Sequence, residues 1–126
     1  MSPEVVSKAI RNYFAAIRAM DEKAWVKTFA EDAITYDPVG APPTKGHQRL
    51  AEFFQTITAA FKEVGLTENE IFIAGNGAAV KWTGTGISKQ GNKVRFEGID
   101  VFTVNENGLI ERLEGYWNPA EMVAQL

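Results

Sequence analysis

Cysteine is absent from this chain of 126 residues, and histidine occurs once, as His47. The first absence removes disulfides, thiolate metal sites and thiol nucleophiles. The second removes His-rich metal centres and most histidine-based triads. There is no basic run. Thirteen Lys and Arg are scattered among sixteen Asp and Glu, for a formal charge of −3, which argues against a nucleic-acid footprint. No apolar stretch approaches the length of a membrane span, and the N-terminus has no signal-peptide core, so a cytoplasmic protein without membrane contact is expected. Repeats, linkers and low-complexity tracts are missing too. What remains, 45% apolar and 23% charged, fits one ordinary globular domain with a sizeable core.

The apolar periodicity changes once along the chain. Ser2-Pro3-Glu4 is a helix start, with a capping hydroxyl, a proline for the first turn and an acid for the dipole. Val6, Ile10, Tyr13, Phe14, Ile17 and Met20 then recur at helical spacing. Asp21 caps a second, short helix through Trp25, Val26 and Phe29. Ala33 to Asp37 reads as extended and stops at Pro38, because the residue before proline is pushed out of helical geometry. A stiff loop over 39–46 follows. A third helix is expected over about 47–63, burying Leu50, Phe53, Phe54, Ile57 and Phe61. Beyond Gly65 the pattern becomes strands over 66–74, 78–88, 94–104 and 109–117, with Asn76-Gly77 as a hairpin turn between the first two. Helices followed by an antiparallel meander define an α+β fold, a curved sheet around three N-terminal helices with an open end suited to a small molecule.

Three polar residues interrupt otherwise apolar surfaces. Asp100 shares a strand face with Phe96, Gly98, Phe102 and Val104, while Arg95, Glu97 and Thr103 point the other way. A carboxylate on a buried apolar face must find a cation or keep its proton, and a neutral carboxylic acid is a hydrogen-bond donor. The alternative is an edge strand on which Asp100 is hydrated. Asp37 ends a short strand at the lip of the Pro38 loop, a common placement for a catalytic carboxylate; it could equally close an Asx turn. Tyr13 sits on the apolar stripe of the first helix between Ile10 and Ile17, where a structural bond to its hydroxyl is the plain account. Together, a carboxylate base and two neutral donors in one cavity form a proton-transfer site: the base removes a proton beside a carbonyl, and the donors hold the developing enolate oxygen.

The run Phe29-Ala30-Glu31-Asp32-Ala33, followed by Asp37-Pro38-Val39-Gly40-Ala41-Pro42-Pro43-Thr44-Lys45-Gly46, resembles the ketosteroid isomerase branch of the nuclear transport factor 2-like superfamily. Tyr13, Ile99-Asp100-Val101 and Tyr116-Trp117 fall where that pattern has counterparts, and no insertion is needed from Tyr13 to Trp117. The resemblance implies a cone-shaped fold and a cofactor-free, metal-free isomerase acting on a small hydrophobic carbonyl compound. Asp37 would be the proton shuttle, with Tyr13 and a protonated Asp100 as oxyanion donors, in an enzyme family that is itself the standard example of a carboxylic acid kept neutral near pH 7. Ile17, Phe53 and Phe54 from the helices would wall the cavity. So would Phe96, Phe102, Leu113 and Trp117 from the sheet. A homodimer is usual in the superfamily, and an apolar outer face carrying Ile99, Val101, Ile110 and Tyr116 would suit one.

Two departures stand out. The bacterial isomerases extend the network of the catalytic phenol with further tyrosines, where this chain has Phe29 and Phe54. The family register on the strand 79–88 would also turn Lys81, Thr83, Thr85 and Ile87 into the pocket, more polar than a steroid site wants. The opposite phase turns in Val80 and Trp82 with Gly84 and Gly86, and a slip of one residue exchanges the two faces. Other enzymes on the same frame, a polyketide cyclase or an epoxide hydrolase, remain alternatives, as does a noncatalytic ligand-binding dimer. His47, at the start of the third helix, is expected to be solvated.

Overall fold

A computed structural model describes all residues from Met1 to Leu126. The first helix, α1 (Pro3–Arg18), begins where Ser2 Oγ accepts a hydrogen bond from Val5 N and turns Val6, Ala9, Ile10, Tyr13, Phe14 and Ala16 inward. Asp21 caps α2 (Glu22–Lys27) by accepting from Ala24 N, and this short helix buries Trp25. Strand β1 (Phe29–Tyr36) leads through the Asp37–Pro38 loop to the two-residue β2 (Thr44–Lys45) and then to α3 (His47–Thr58). Four long strands follow: β3 (Phe61–Ala74), β4 (Gly77–Ser88), β5 (Lys93–Val104) and β6 (Ile110–Trp117). A short C-terminal helix, α4 (Pro119–Val123), completes the chain.

The sheet has six strands in the order β2-β1-β6-β5-β4-β3. It curves without closing, and the apolar sides of α1–α3 fill its concave face around a core that includes Phe14, Phe29, Trp82 and Phe102. The expected meander forms the larger part, but the sheet is mixed, not wholly antiparallel: β1 runs parallel to β6. This follows from placing the strand after the helices beside the last strand of the meander, which needs a long crossover instead of a hairpin. The third helix is shorter than its periodicity suggests. It ends at Thr58, and Phe61 becomes the first buried residue of β3. No helix is long and apolar enough to cross a membrane.

Register decides what faces the cavity. The β3–β4 turn consists of Gly75 and Asn76, with Gly75 at φ +57 and Ala74 paired to Gly77, one residue earlier than the Asn-Gly signal implies. In that register Ala78, Val80, Trp82 and Gly84 are buried. Lys81 turns outward and pairs with Glu97 at 3.3 Å, and Thr83 donates to Asn69 at 2.8 Å. The family-register alternative for this strand is therefore not realised, and the concave face is apolar. Gly98 makes room for it: a Cβ there would lie 2.7 Å from Trp82, from Trp117 and from the carbonyl of Tyr116. The two indoles meet edge to face at 6.2 Å over this gap.

Candidate active site

Strand β5 lies between β4 and β6, so Asp100 is not on an edge. It pairs with Val80 on one side and Gly115 on the other, and it is 2% exposed. Asp37 reaches the same spot from the end of β1. The loop after it is pinned by a hydrogen bond from Val39 N to Gly115 O at 2.8 Å, and Trp117 Nε1 donates to Asp37 Oδ1 at 2.6 Å. The two carboxyl groups converge over Gly115. A Cβ at that position would overlap Asp37 Oδ1 and lie 3.1 Å from Asp100 Oδ1, so only glycine lets both approach.

Tyr13 enters from α1, 2% exposed. Its ring packs edge-on against Phe14 at 4.9 Å, Phe102 at 5.0 Å and Phe29 at 5.9 Å. Tyr13, Asp37 and Asp100 line one cavity of about 70 Å³, and eleven of its fourteen lining residues are hydrophobic. That apolar wall sets the electrostatics. Burial pushes Asp100 well above the ordinary carboxylate range, and the neighbouring Asp37 charge pushes it further, against a smaller opposing effect of the Trp82 indole. Burial also raises Asp37, to about 6, with the Trp117 hydrogen bond working against it. Asp37 is only half-buried, yet the apolar wall withholds enough water for desolvation to dominate. Tyr13 is raised well above 10.0 by burial and then by the charges of Asp100 and Asp37. Two adjacent carboxyls cannot both ionise at low cost. Of the two, Asp37 therefore ionises the more readily, while burial and the Asp37 charge favour the protonated form of Asp100 and burial that of Tyr13.

Ile17, Phe53, Phe54, Phe96 and Trp117 line this cavity. Phe102 and Leu113 do not. Both are 0% exposed and are paired with each other across β5 and β6, outside the cavity lining. Phe102 supports the Tyr13 ring from behind and Phe14 beside it. Ile110 is likewise fully buried and does not belong to the outer face. His47 remains part-exposed, and its Nε2 lies 2.8 Å from the carbonyl oxygen of Phe29, which accepts from it.

Sequence reasoning passed over Trp25, Trp82, Ile57, Thr58, Val64 and Leu66 as cavity residues, and Gly115 as the floor beneath the carboxyls. Trp82 was one of two open phases. Gly115 carried no signal, because its importance lies in standing opposite Asp100 on another strand. No group of three or more His, Asp or Glu side chains is placed to hold a metal ion.

A mostly apolar cone with a carboxyl pair and a phenol at its inner end is the architecture of a nuclear transport factor 2-like small-molecule site. Residues 10–113 match the SnoaL-like domain family, and the chain belongs to it. It is 31% identical over 123 residues to the steroid Δ-isomerase of Nocardioides simplex, covering 98% of this chain and 97% of that protein. Among solved structures, the Mycobacterium tuberculosis protein RV0760c superposes with a TM-score of 0.83 at 24% identity, over 96% of each chain. The epoxide hydrolase/cyclase-like enzyme SalBIII, from pyran ring formation in the polyether salinomycin, also gives 0.83 at 24% identity over 94% of each. An M. tuberculosis epoxide hydrolase gives 0.79 at 20% identity, over 98% of this chain and 90% of that one. The solved structures bear on the fold; the isomerase covers essentially the whole sequence.

Proposed function

We propose that the protein is a cofactor-free isomerase that moves a carbon–carbon double bond into conjugation with a ketone. The observation that carries this reading is the pair of carboxyls meeting over Gly115 in an apolar cavity shared with Tyr13, both raised by burial and Asp100 raised further by the charge of Asp37. Asp37 takes a proton from the carbon between the ketone and the double bond. The electron pair moves onto the carbonyl oxygen, giving a dienolate, and Tyr13 and protonated Asp100 donate to that oxygen. Asp37 then returns the proton two carbons further along, and the electron pair flows back to restore the ketone. The substrate is recovered as its conjugated isomer, with no net gain or loss of atoms. Raising Asp37 to about 6 makes it a stronger base than an ordinary carboxylate while leaving it mostly ionised at neutral pH. Each oxyanion donor is worth about 3–4 kcal/mol in sites of this kind. The 31% identity to a steroid Δ-isomerase supports the reading, and the inward phase of Val80 and Trp82 gives an apolar wall suited to a hydrophobic enone precursor.

The decisive assay follows the absorbance of the conjugated enone formed from a β,γ-unsaturated 3-ketosteroid, with Asp37→Asn as control. Turnover abolished by the variant supports the proposal. A folded protein with no turnover on steroid or smaller β,γ-unsaturated ketones overturns it. An acid beside a base would also open an epoxide by hydrolysis, with Asp100 protonating the ring oxygen and Asp37 taking a proton from the water that attacks the ring carbon. Uptake of ¹⁸O from labelled water distinguishes that reaction, since the isomerisation incorporates none. For quaternary structure, the outer sheet face exposes Phe72 (66%), Tyr116 (52%) and Ile99 (44%), a surface suited to a second copy of the chain.

A further inference from the structure

All three tryptophans of the chain line the cavity that holds Tyr13, Asp37 and Asp100. Trp117 is engaged, donating to Asp37. The other two are not. Trp25 and Trp82 are each 2% exposed, and their Nε1 atoms are buried without a hydrogen-bond partner, as is Asp100 Oδ1. An indole N–H left unpaired in an apolar surround carries its whole desolvation cost. Packing alone gives no reason for it, because phenylalanine would offer apolar surface with no stranded donor.

Their placement supplies a reason. The Trp25 ring lies 5.9 Å from the Tyr13 ring, centroid to centroid. Trp82 is two residues along β4 from Val80, the residue directly opposite Asp100, and on the same face. The phenol and the carboxylic acid are thus each accompanied by one indole. Each N–H also favours the ionised form of its neighbour, Trp25 acting on Tyr13 and Trp82 on Asp100, against the dominant effect of burial.

We propose that Trp25 and Trp82 are positioning residues of the oxyanion site, their indole N–H groups closing onto the oxygens of Tyr13 and Asp100 when a ligand oxygen is held there. The inference rests on reading Tyr13 and Asp100 as donors to that oxygen. As negative charge develops on the ligand, each donor gives up part of its proton and its own oxygen gains charge. An N–H aimed at that oxygen then strengthens the donor cooperatively. With a neutral ligand little charge is relayed, and the indoles contribute only packing.

The test compares an anion with a neutral molecule of similar shape: 4-nitrophenolate, which reports its ionisation by visible absorbance, against 4-nitroanisole. Trp25→Phe and Trp82→Phe are made in the full chain. In parallel each tryptophan is replaced by 3-benzothienylalanine, which keeps the bicyclic shape and puts sulfur in place of N–H. Each of the four variants should bind 4-nitrophenolate roughly 3–10-fold more weakly and raise the apparent pKa of the bound phenol, with 4-nitroanisole affinity unchanged in the benzothienyl pair. Undiminished phenolate binding by the benzothienyl variants overturns the inference, as does an equal loss for both ligands. Tyr13→Phe and Asp100→Leu separate the two levels. If these weaken phenolate binding and the tryptophan variants do not, only the role of the indoles fails. If these two also leave phenolate binding intact, the oxyanion reading itself fails.

Discussion

Replacing Asp37 by Asn should destroy activity and stabilise the protein at the same time. The carboxyl is raised from 3.8 to about 6, chiefly by burial. A group whose folded pKa lies above its unfolded value binds more protons in the folded state, so stability falls as pH rises between the two values. Asp37 therefore costs nothing below about pH 3.8 and reaches its full cost above pH 6, about 2–3 kcal/mol. Asn removes that cost and keeps a carbonyl oxygen for the Trp117 N–H, which otherwise bonds Asp37 Oδ1 at 2.6 Å. It also removes the charge that helps to raise Asp100. At pH 7.5 the variant should unfold at higher urea and melt about 10 °C above the parent, by the usual scaling for a chain of this size. The gain should shrink to about 0.5 kcal/mol near pH 4. Urea unfolding followed by circular dichroism from pH 4 to pH 8 measures both. A variant no more stable than the parent at pH 7.5, or a gain that does not fade in acid, would refute the desolvated-carboxylate account.

Three further outcomes follow from the same geometry. Trp117→Phe removes the bond that favours ionised Asp37, so the acid limb of the kcat/KM–pH profile should move upward by about 1 pH unit; an unmoved limb would show that another group titrates there. Gly115→Ala puts a methyl where Asp37 Oδ1 lies and close to Asp100 Oδ1, and displacing the base by roughly 1 Å should lower kcat about 100-fold, measured at saturating substrate. Phe72→Glu with Tyr116→Glu places charge on the exposed outer face of the sheet and should leave a folded monomer in sedimentation equilibrium. A parent that is already monomeric, or a double variant that still dimerises, would remove that face as the interface.

Much of the cone could be read from local patterns. The Ser2-Pro3 start, the Asp21 cap and the inward stripe from Val6 to Phe14 are short-range chemistry, and they appear where expected. Alternation alone placed Asp100 with Phe96, Phe102 and Val104 on the buried side of β5. The third helix was overrun because Phe61 continues the helical spacing of Ile57, while tertiary pairing with Ser88 draws it into β3. Phe102 and Leu113 were expected at the cavity because they share faces with Asp100 and Trp117. A face, however, extends beyond a pocket: Phe102 is covered by the rings of Tyr13 and Phe14, and that packing is tertiary.

The sequence by itself determined the first helix, the start of the second, the four long strands, the buried side of β5 and the presence of two carboxyls and a phenol that an apolar surround would perturb, because caps, periodicity and desolvation depend on near neighbours and residue type. Only the tertiary structure decided that β1 lies parallel to β6, that β4 turns Trp82 and not Thr83 inward, and that Asp37 and Asp100 meet over Gly115. Those are properties of register between strands distant in sequence. A shift of one residue leaves every local pattern intact and exchanges an apolar wall for a polar one.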